Sequence, residues 1–421
     1  MEIRLKPADA LTYAGTQNFI PVIQSLELVN DGEEVLCDLT LTLQAEPEFA
    51  SLLTLPVSRV EAGAVYRFPD AEWLLSHDFL AGLKESVRGR ITARLSGAEG
   101  EIATCSMPVE VLAYEEWAGF RQLPELVLAF AQPNSAAVAD LLRQASEKLL
   151  AQYGKSLSGY QTADRDAVAR QIGALYAAVC DWGVHYVNPP ASFTGTGQKI
   201  RLPDRLREER LGTCLDLSLL LVSCLEQAGL NPLLFMEEGH AWVGCWLLDQ
   251  TLPNTSVDSR EQIRKRIDAG ELIAFEAVGV TPQSALPLAQ AIRKGAERLG
   301  EGHAHRFDLA IDVRRSREAL KILPLALREA VAPVSQAEGA PQASVIEEVV
   351  LPPLGPDVVL SGSNATPEER SRIDVWRSRL LDLTLRNKLI NFKPGKQAIP
   401  LYAPDPAVIE DFRTYQLRAT I

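Results

Sequence analysis

The chain has no two cysteines at C-x-x-C spacing. Its six cysteines, Cys37, Cys105, Cys180, Cys214, Cys224 and Cys245, are scattered along 421 residues, which excludes a disulfide framework and a thiol-based zinc site. It has no apolar run of bilayer-spanning length, and Met1-Glu2-Ile3-Arg4-Leu5 lacks the basic-then-apolar layout of a secretory leader. Excess positive charge is also missing. The net charge of −13 argues against a global nucleic-acid-binding surface and leaves room for a local basic patch at most. No G-x-x-x-x-G-K-(S/T) phosphate loop occurs, so these residues carry no nucleotide-driven motor of that type. Histidine is scarce. His303 and His305 form an H-x-H without further ligand candidates and read as a surface loop. The expectations are a reducing, cytoplasmic compartment, no cofactor, no metal and no membrane.

What is present is ordinary globular material, with 47% hydrophobic and 23% charged residues. The length suffices for two or three domains. Residues 1–115 carry short strand patterns: 20–29 ends at Asn30-Asp31-Gly32, 35–43 alternates, 88–95 leads into a turn at 97–100, and 102–112 closes the series. Short strands between turns predict an immunoglobulin-like β-sandwich, a spacer or docking surface without chemistry of its own. Residues 116–325 predict a mixed domain, with helices at 136–150 and 165–184. Residues 326–363 read as a flexible linker, Pro/Ala/Ser/Gly-rich from 331 on and too poor in apolar surface to order itself. The expected fold class is therefore multidomain: a β-sandwich, an α+β domain, a linker, and a C-terminal helix opening a further domain over 364–421.

The most informative stretch is Gly212-Thr213-Cys214-Leu215-Asp216, followed by Gly239-His240-Ala241-Trp242. Between them Leu217, Leu220, Leu221, Cys224, Leu225 and Ala228 recur at helical spacing and mark one buried face. Thr213 suits the N-cap and Gly229 the position after the helix end. Cys214 then falls in the first turn, where unpaired amides and the helix dipole favour negative charge on sulfur. A break at Asn231-Pro232, an apolar run at 233–236 and a turn at 237–239 precede a second alternating run that opens at His240.

Helix, strand, turn, strand, with G-T-C before the helix and H-A-W on the second strand, resembles the transglutaminase-like superfamily. That resemblance implies a papain-like core in which Cys214 attacks a carbonyl, His240 shuttles the proton and an acid on the next strand orients the histidine. Glu276, the lone carboxylate in the apolar run 272–278, is the preferred acid, and Asp249, closing the run of His240, is the alternative. A polar insertion at 258–270 separates the two and departs from the compact family pattern. Gln198, at the end of a Pro/Gly-rich loop, is a weak candidate oxyanion donor, with the Cys214 amide as the stronger one.

Past the linker, Thr366-Pro367-Glu368-Glu369 has the form of a helix start. The helix runs through Trp376-Arg377-Ser378-Arg379-Leu380-Leu381-Asp382-Leu383-Thr384-Leu385-Arg386-Asn387 to Phe392. This resembles a domain of unknown function at the front of very large bacterial superfamily-1-type helicases, whose hallmark is W-x-x-x-L-L-D-L-(S/T)-L-R-N. The resemblance implies that the chain is the N-terminal part of a longer protein, with an antiphage defence role. Two readings follow. One is a Cys-His-Glu cysteine protease or acyltransferase acting on a protein or peptide. The other is a non-catalytic sensor or docking module regulating a helicase or nuclease. In both, the partner is a downstream helicase region or a separate helicase subunit, and nucleic acid is met only indirectly.

Overall fold

The computed structural model describes residues 1–69, 72–188, 198–326, 344–355 and 358. The chain divides into Met1–Val358 and Val359–Ile421. The helix expected at 366–392 lies in the second unit, outside the described residues. The first unit contains several sheets and helices, as a multidomain α+β protein does.

Its N-terminal part comprises β1 (Glu2–Pro7), α1 (Tyr13–Gln17), β2 (Ile23–Val29), β3 (Leu36–Glu46), β4 (Leu53–Val60), β5 (Val65–Arg67), α2 (His77–Gly82), β6 (Val87–Gly97) and β7 (Gly100–Val111). Among the described residues these strands form two antiparallel sheets, ordered β1-β2-β5 and β4-β3-β6-β7. The alternation in sequence has its expected cause. Leu39, Leu41, Leu43 and Ala45 of β3 point into the core, and Thr40, Gln44 and Glu46 point out. Ile91, Ala93 and Leu95 of β6 join Leu5, Leu26 and Leu28 of the other sheet in one buried cluster.

The second part begins with β8 (Glu116–Trp117), α3 (Ala136–Tyr153), α4 (Arg165–Asp181), β9 (His185–Tyr186), β10 (Gln198–Lys199), α5 (Pro203–Glu209) and β11 (Leu211–Gly212). It continues through α6 (Cys214–Gln227), β12 (Pro232–Glu237), β13 (His240–Trp246), β14 (Ser256–Val257), α7 (Arg260–Asp268), β15 (Leu272–Phe275), α8 (Leu288–Glu297), β16 (Phe307–Asp312) and α9 (Val313–Ala319). An antiparallel sheet runs β14-β16-β12-β13-β15, and α6 packs on β12 and β13. Residues 214–225 are all buried, so α6 is a central helix rather than a surface one with a single stripe. The polar insertion is α7, at the edge leading into β15.

Two expected strands are shorter than their apolar runs. β13 stops at Trp246, short of Asp249. β15 stops at Phe275, and Glu276 instead caps a 3-10 turn over Ala277–Val280, its carboxylate accepting from the Val278 amide at 3.2 Å. The turn is enforced at Gly279, where a Cβ would sit 2.4 Å from the Tyr176 hydroxyl.

Part of the expected linker is packed. Ile346 is buried, with Gly173 of α4 leaving room for it. Gln152 bonds the Ile346 backbone on both sides, at 2.8 and 3.1 Å. Lys148 Nζ donates to Ser344 O at 2.6 Å, Ala289 N to Glu347 at 3.0 Å, and Arg165 to Pro352 O at 2.8 Å. The reason is local: within the linker composition the apolar side chain of Ile346 finds a partner surface at Gly173 of α4, and polar bonds from α3, α4 and α8 hold the segment around it. Residues 323–326 close onto the N-terminal part, where Asn18 and Gln17 bond the backbones of Leu323, Pro324 and Ala326, and the Tyr13 hydroxyl donates to Ala326 O at 3.0 Å. No helix among the described residues is long and apolar enough to cross a membrane.

Candidate active site

Cys214 is the first residue of α6, and the cap that starts this helix is doubled. Thr213 Oγ1 accepts from the Asp216 amide at 3.2 Å, and Asp216 Oδ2 accepts from the Thr213 amide at 2.9 Å. Asp216 is fully buried and also takes the Arg201 amide at 2.9 Å. Burial pushes its carboxyl above the usual range, against those hydrogen bonds. Gly212 precedes the cap in a tight spot: a Cβ there would meet Leu206 at 3.0 Å and Val184 at 3.3 Å, so a larger residue would need those side chains to shift. As the first helical residue, Cys214 has no intrahelical partner for its own N–H.

His240 opens β13 after a tight turn made by Gly239 at φ +76°. The β13–β15 pairing ends at Val243 opposite Phe275, which brings the next residue of the chain, Glu276, toward the His240 end of the strand. His240 Nε2 lies 3.1 Å from Glu276 Oε1 and 3.0 Å from Oε2. Cys214 stands near enough to the imidazole to act on it and favour its protonated form. With Nε2 taken by Glu276, Nδ1 is the nitrogen left for the thiol. Cys214 is 6% exposed, so the thiol and ring meet in a largely dry place.

Burial alone would lower the His240 pKa, but Cys214 beside the ring, the hydrogen bond with Glu276 and the charges of both raise it to about 9. For Glu276 burial works upward. The hydrogen bond to His240, the charges of His240 and Arg298, and the Val278 amide outweigh it and hold the carboxylate below its ordinary value. The chemistry available is thus a thiol beside an imidazolium that a buried carboxylate stabilises, the arrangement that activates a nucleophilic sulfur.

The other sequence candidates separate. Asp249 is more than half exposed and accepts from Asn231 Nδ2 at 3.0 Å and Arg314 Nη1 at 2.6 Å rather than from His240. It serves a surface ion pair because its strand ends too early to bring it back. Gln198 is buried on β10, paired with Trp117 of β8, and its Oε1 has no hydrogen-bond partner among the described residues. The loop between Asn188 and Gln198 lies outside the described residues. His303 is not a free surface histidine. Its Nε2 lies 3.0 Å from Glu237 Oε2 without hydrogen-bond alignment. No cluster of His, Cys, Asp or Glu among the described residues has metal-binding form.

Sequence reasoning missed three neighbours. Tyr186 is brought in by the parallel bridge of β9 with β11, Tyr186 opposite Gly212; its hydroxyl donates to Asn188 Oδ1 at 3.4 Å and lies near Cys214. Burial, then the nearby Cys214 and Glu276 charges, push that hydroxyl up to about 12. Arg298, just past α8, donates from Nε to Glu276 Oε2 at 3.0 Å and from Nη1 to the fully buried Glu237. Neither Tyr186, Arg298 nor Glu237 carries a local motif. The end of an amphipathic helix at 288–297 was the only available signal for Arg298.

A family model described as a protein of unknown function (DUF4011) matches residues 379–418. That is the region of the hallmark helix and the residues after it. No curated protein and no solved structure matches the chain.

Proposed function

We propose that residues 116–325 are a transglutaminase-like domain, preceded by an immunoglobulin-like sandwich, that performs thiol acyl transfer on a protein or peptide, most simply peptide or isopeptide hydrolysis. The observation that carries the reading is the His240–Glu276 hydrogen bond with Cys214 close to the ring, the cysteine at the start of a buried helix and the histidine at the start of a strand. In this reading Cys214 sulfur adds to the substrate carbonyl, and the His240 imidazolium gives its proton to the departing amine. Water, deprotonated by the neutral imidazole, then releases the acid from the thioester. The Cys214 amide meets the oxyanion, and Glu276 keeps the ring oriented. Gln198 is a second candidate donor through its side-chain Nε2. From the hallmark helix alone, we further propose a place at the front of a helicase-type protein with a defence role, acting through the downstream region or a separate helicase subunit. Six unpaired thiols suit a reducing cytoplasm.

A second reading rests on a specific observation: Cys214 is nearly enclosed, with Tyr186 nearby. A non-catalytic sensor or docking module tolerates that enclosure, whereas an enzyme has to open it. Alkylation by iodoacetamide, followed by peptide mapping, separates the two. An acyltransferase site predicts that Cys214 reacts at pH 6 at least tenfold faster than exposed Cys37, and that His240→Ala removes the advantage. Equal rates at Cys214 and Cys37, or an advantage that survives His240→Ala, favour the docking module.

A further inference from the structure

Glu237 has no part in the chemistry just described, yet it is fully buried at the end of β12, directly across the hairpin from His240. A buried carboxylate is retained only with strong partners. Its partners are Arg298, which donates from Nη1 to Oε1, and His303 at 3.0 Å from Oε2. The same guanidinium donates from Nε to Glu276 at 3.0 Å. Its carbon lies 5.8 Å from the centre of the Trp242 ring, and that ring stacks at 17° with His240. The guanidinium is therefore fixed at three points: Glu237, the indole face and Glu276.

We propose that Arg298 is the positioning residue of the site, anchored by Glu237 and Trp242 so that its Nε holds Glu276 squarely against His240. The inference rests on the thiol acyl-transfer reading. An ordinary ion pair would not serve, because exposed pairs are mobile and screened. Here the side chains of Glu276 and Glu237 are 7% and 0% exposed, and that of Arg298 is 25% exposed. Arginine suits the task, since its rigid fork can engage two carboxylates at fixed separation. The titratable groups facing Glu276 are His240 on β13, Arg298 after α8 and Tyr176 on α4. Cys214 and Tyr186 stand beyond the imidazole, and Glu237 and His303 beyond the guanidinium. Arg298 is the cation among them at all working pH values, so it sets how far the pH must fall before Glu276 takes a proton and the imidazolium loses its counter-charge.

The test uses the full 421-residue chain and reads the rate of iodoacetamide alkylation at Cys214 from pH 4 to 9, with thermal unfolding alongside. Arg298→Gln should move the acid limb of the rate profile up by about one pH unit, lowering the rate on that limb about tenfold. A purely structural role would lower the melting temperature and leave the limb where it is. That result overturns the proposal. Should Arg298→Gln not fold, Arg298→Lys is read on the same limb: it keeps the charge but cannot bridge both carboxylates. A shift of about half a unit supports the proposal, and an unmoved limb overturns it. His240→Ala in the same assay tells the two failures apart. If wild-type Cys214 reacts no faster than in His240→Ala, the acyl-transfer reading has failed. If it does react faster and the limb stays put in the Arg298 variant, only the positioning role has failed.

Discussion

At the residue scale, His240 links chemistry to stability. Its pKa is about 9 in the folded chain against an unfolded value of 6.5, so the folded state holds the proton more tightly. The stabilisation is complete below about pH 6.5 and disappears as the pH rises through about 9. Thermal unfolding across this window should therefore show wild type more stable than His240→Gln at pH 6, with the gap closing by pH 10. A gap that widens with pH would mean that the ring is neutral in the native state. Cys214, His240 and Glu276 were legible because each carries a local sign: a capped helix start, a strand start after a glycine turn, and one carboxylate in an apolar run. Tyr186 and Arg298 were not. Tyr186 arrives through a two-residue parallel bridge, and Arg298 meets Glu237 from 61 residues away. Pairings of that kind leave no periodicity in the chain.

At the element scale, α6 is where composition and geometry agree. Its boundaries follow from Thr213 and from Gly229 at φ +75°. The capping box both starts the helix and fixes where the sulfur sits. Thr213→Ala removes one of its two hydrogen bonds, and a cost of about 1 kcal/mol is expected in denaturant unfolding. The same variant should slow alkylation of Cys214, because the first turn frays. Loss of stability with unchanged Cys214 reactivity would show that the cap acts on folding alone. The ends of β13 and β15 were misjudged because an apolar run records burial, whereas the strand ends where pairing ends. Glu276 gains its position from that early stop: as the cap of a turn it is free to face across to His240.

At the scale of the whole molecule, residues 344–355 change the domain description. Their composition is that of a linker, but Ile346 and the bonds from Gln152, Lys148 and Arg165 tie them to the body. A chain ending at residue 358 should consequently melt higher than one ending at residue 326, and the peptide bonds around Ile346 should resist limited digestion in the longer chain. Equal melting temperatures would show that the packed segment contributes nothing. Sequence could not reveal this, since the surface that receives the segment is assembled from α3, α4 and α8.

The junction of Tyr13, Gln17 and Asn18 with residues 323–326 sets a clock on synthesis. Tyr13 and Ala326 are 313 residues apart, so a ribosome adding about 5 to 20 residues per second needs roughly 15 to 60 s between them. During that interval the N-terminal part is outside the tunnel with its seam open and the polar ends of Gln17 and Asn18 still turned to water. The nascent chain thus passes through a stage in which its first helix waits for a stretch made 313 residues later.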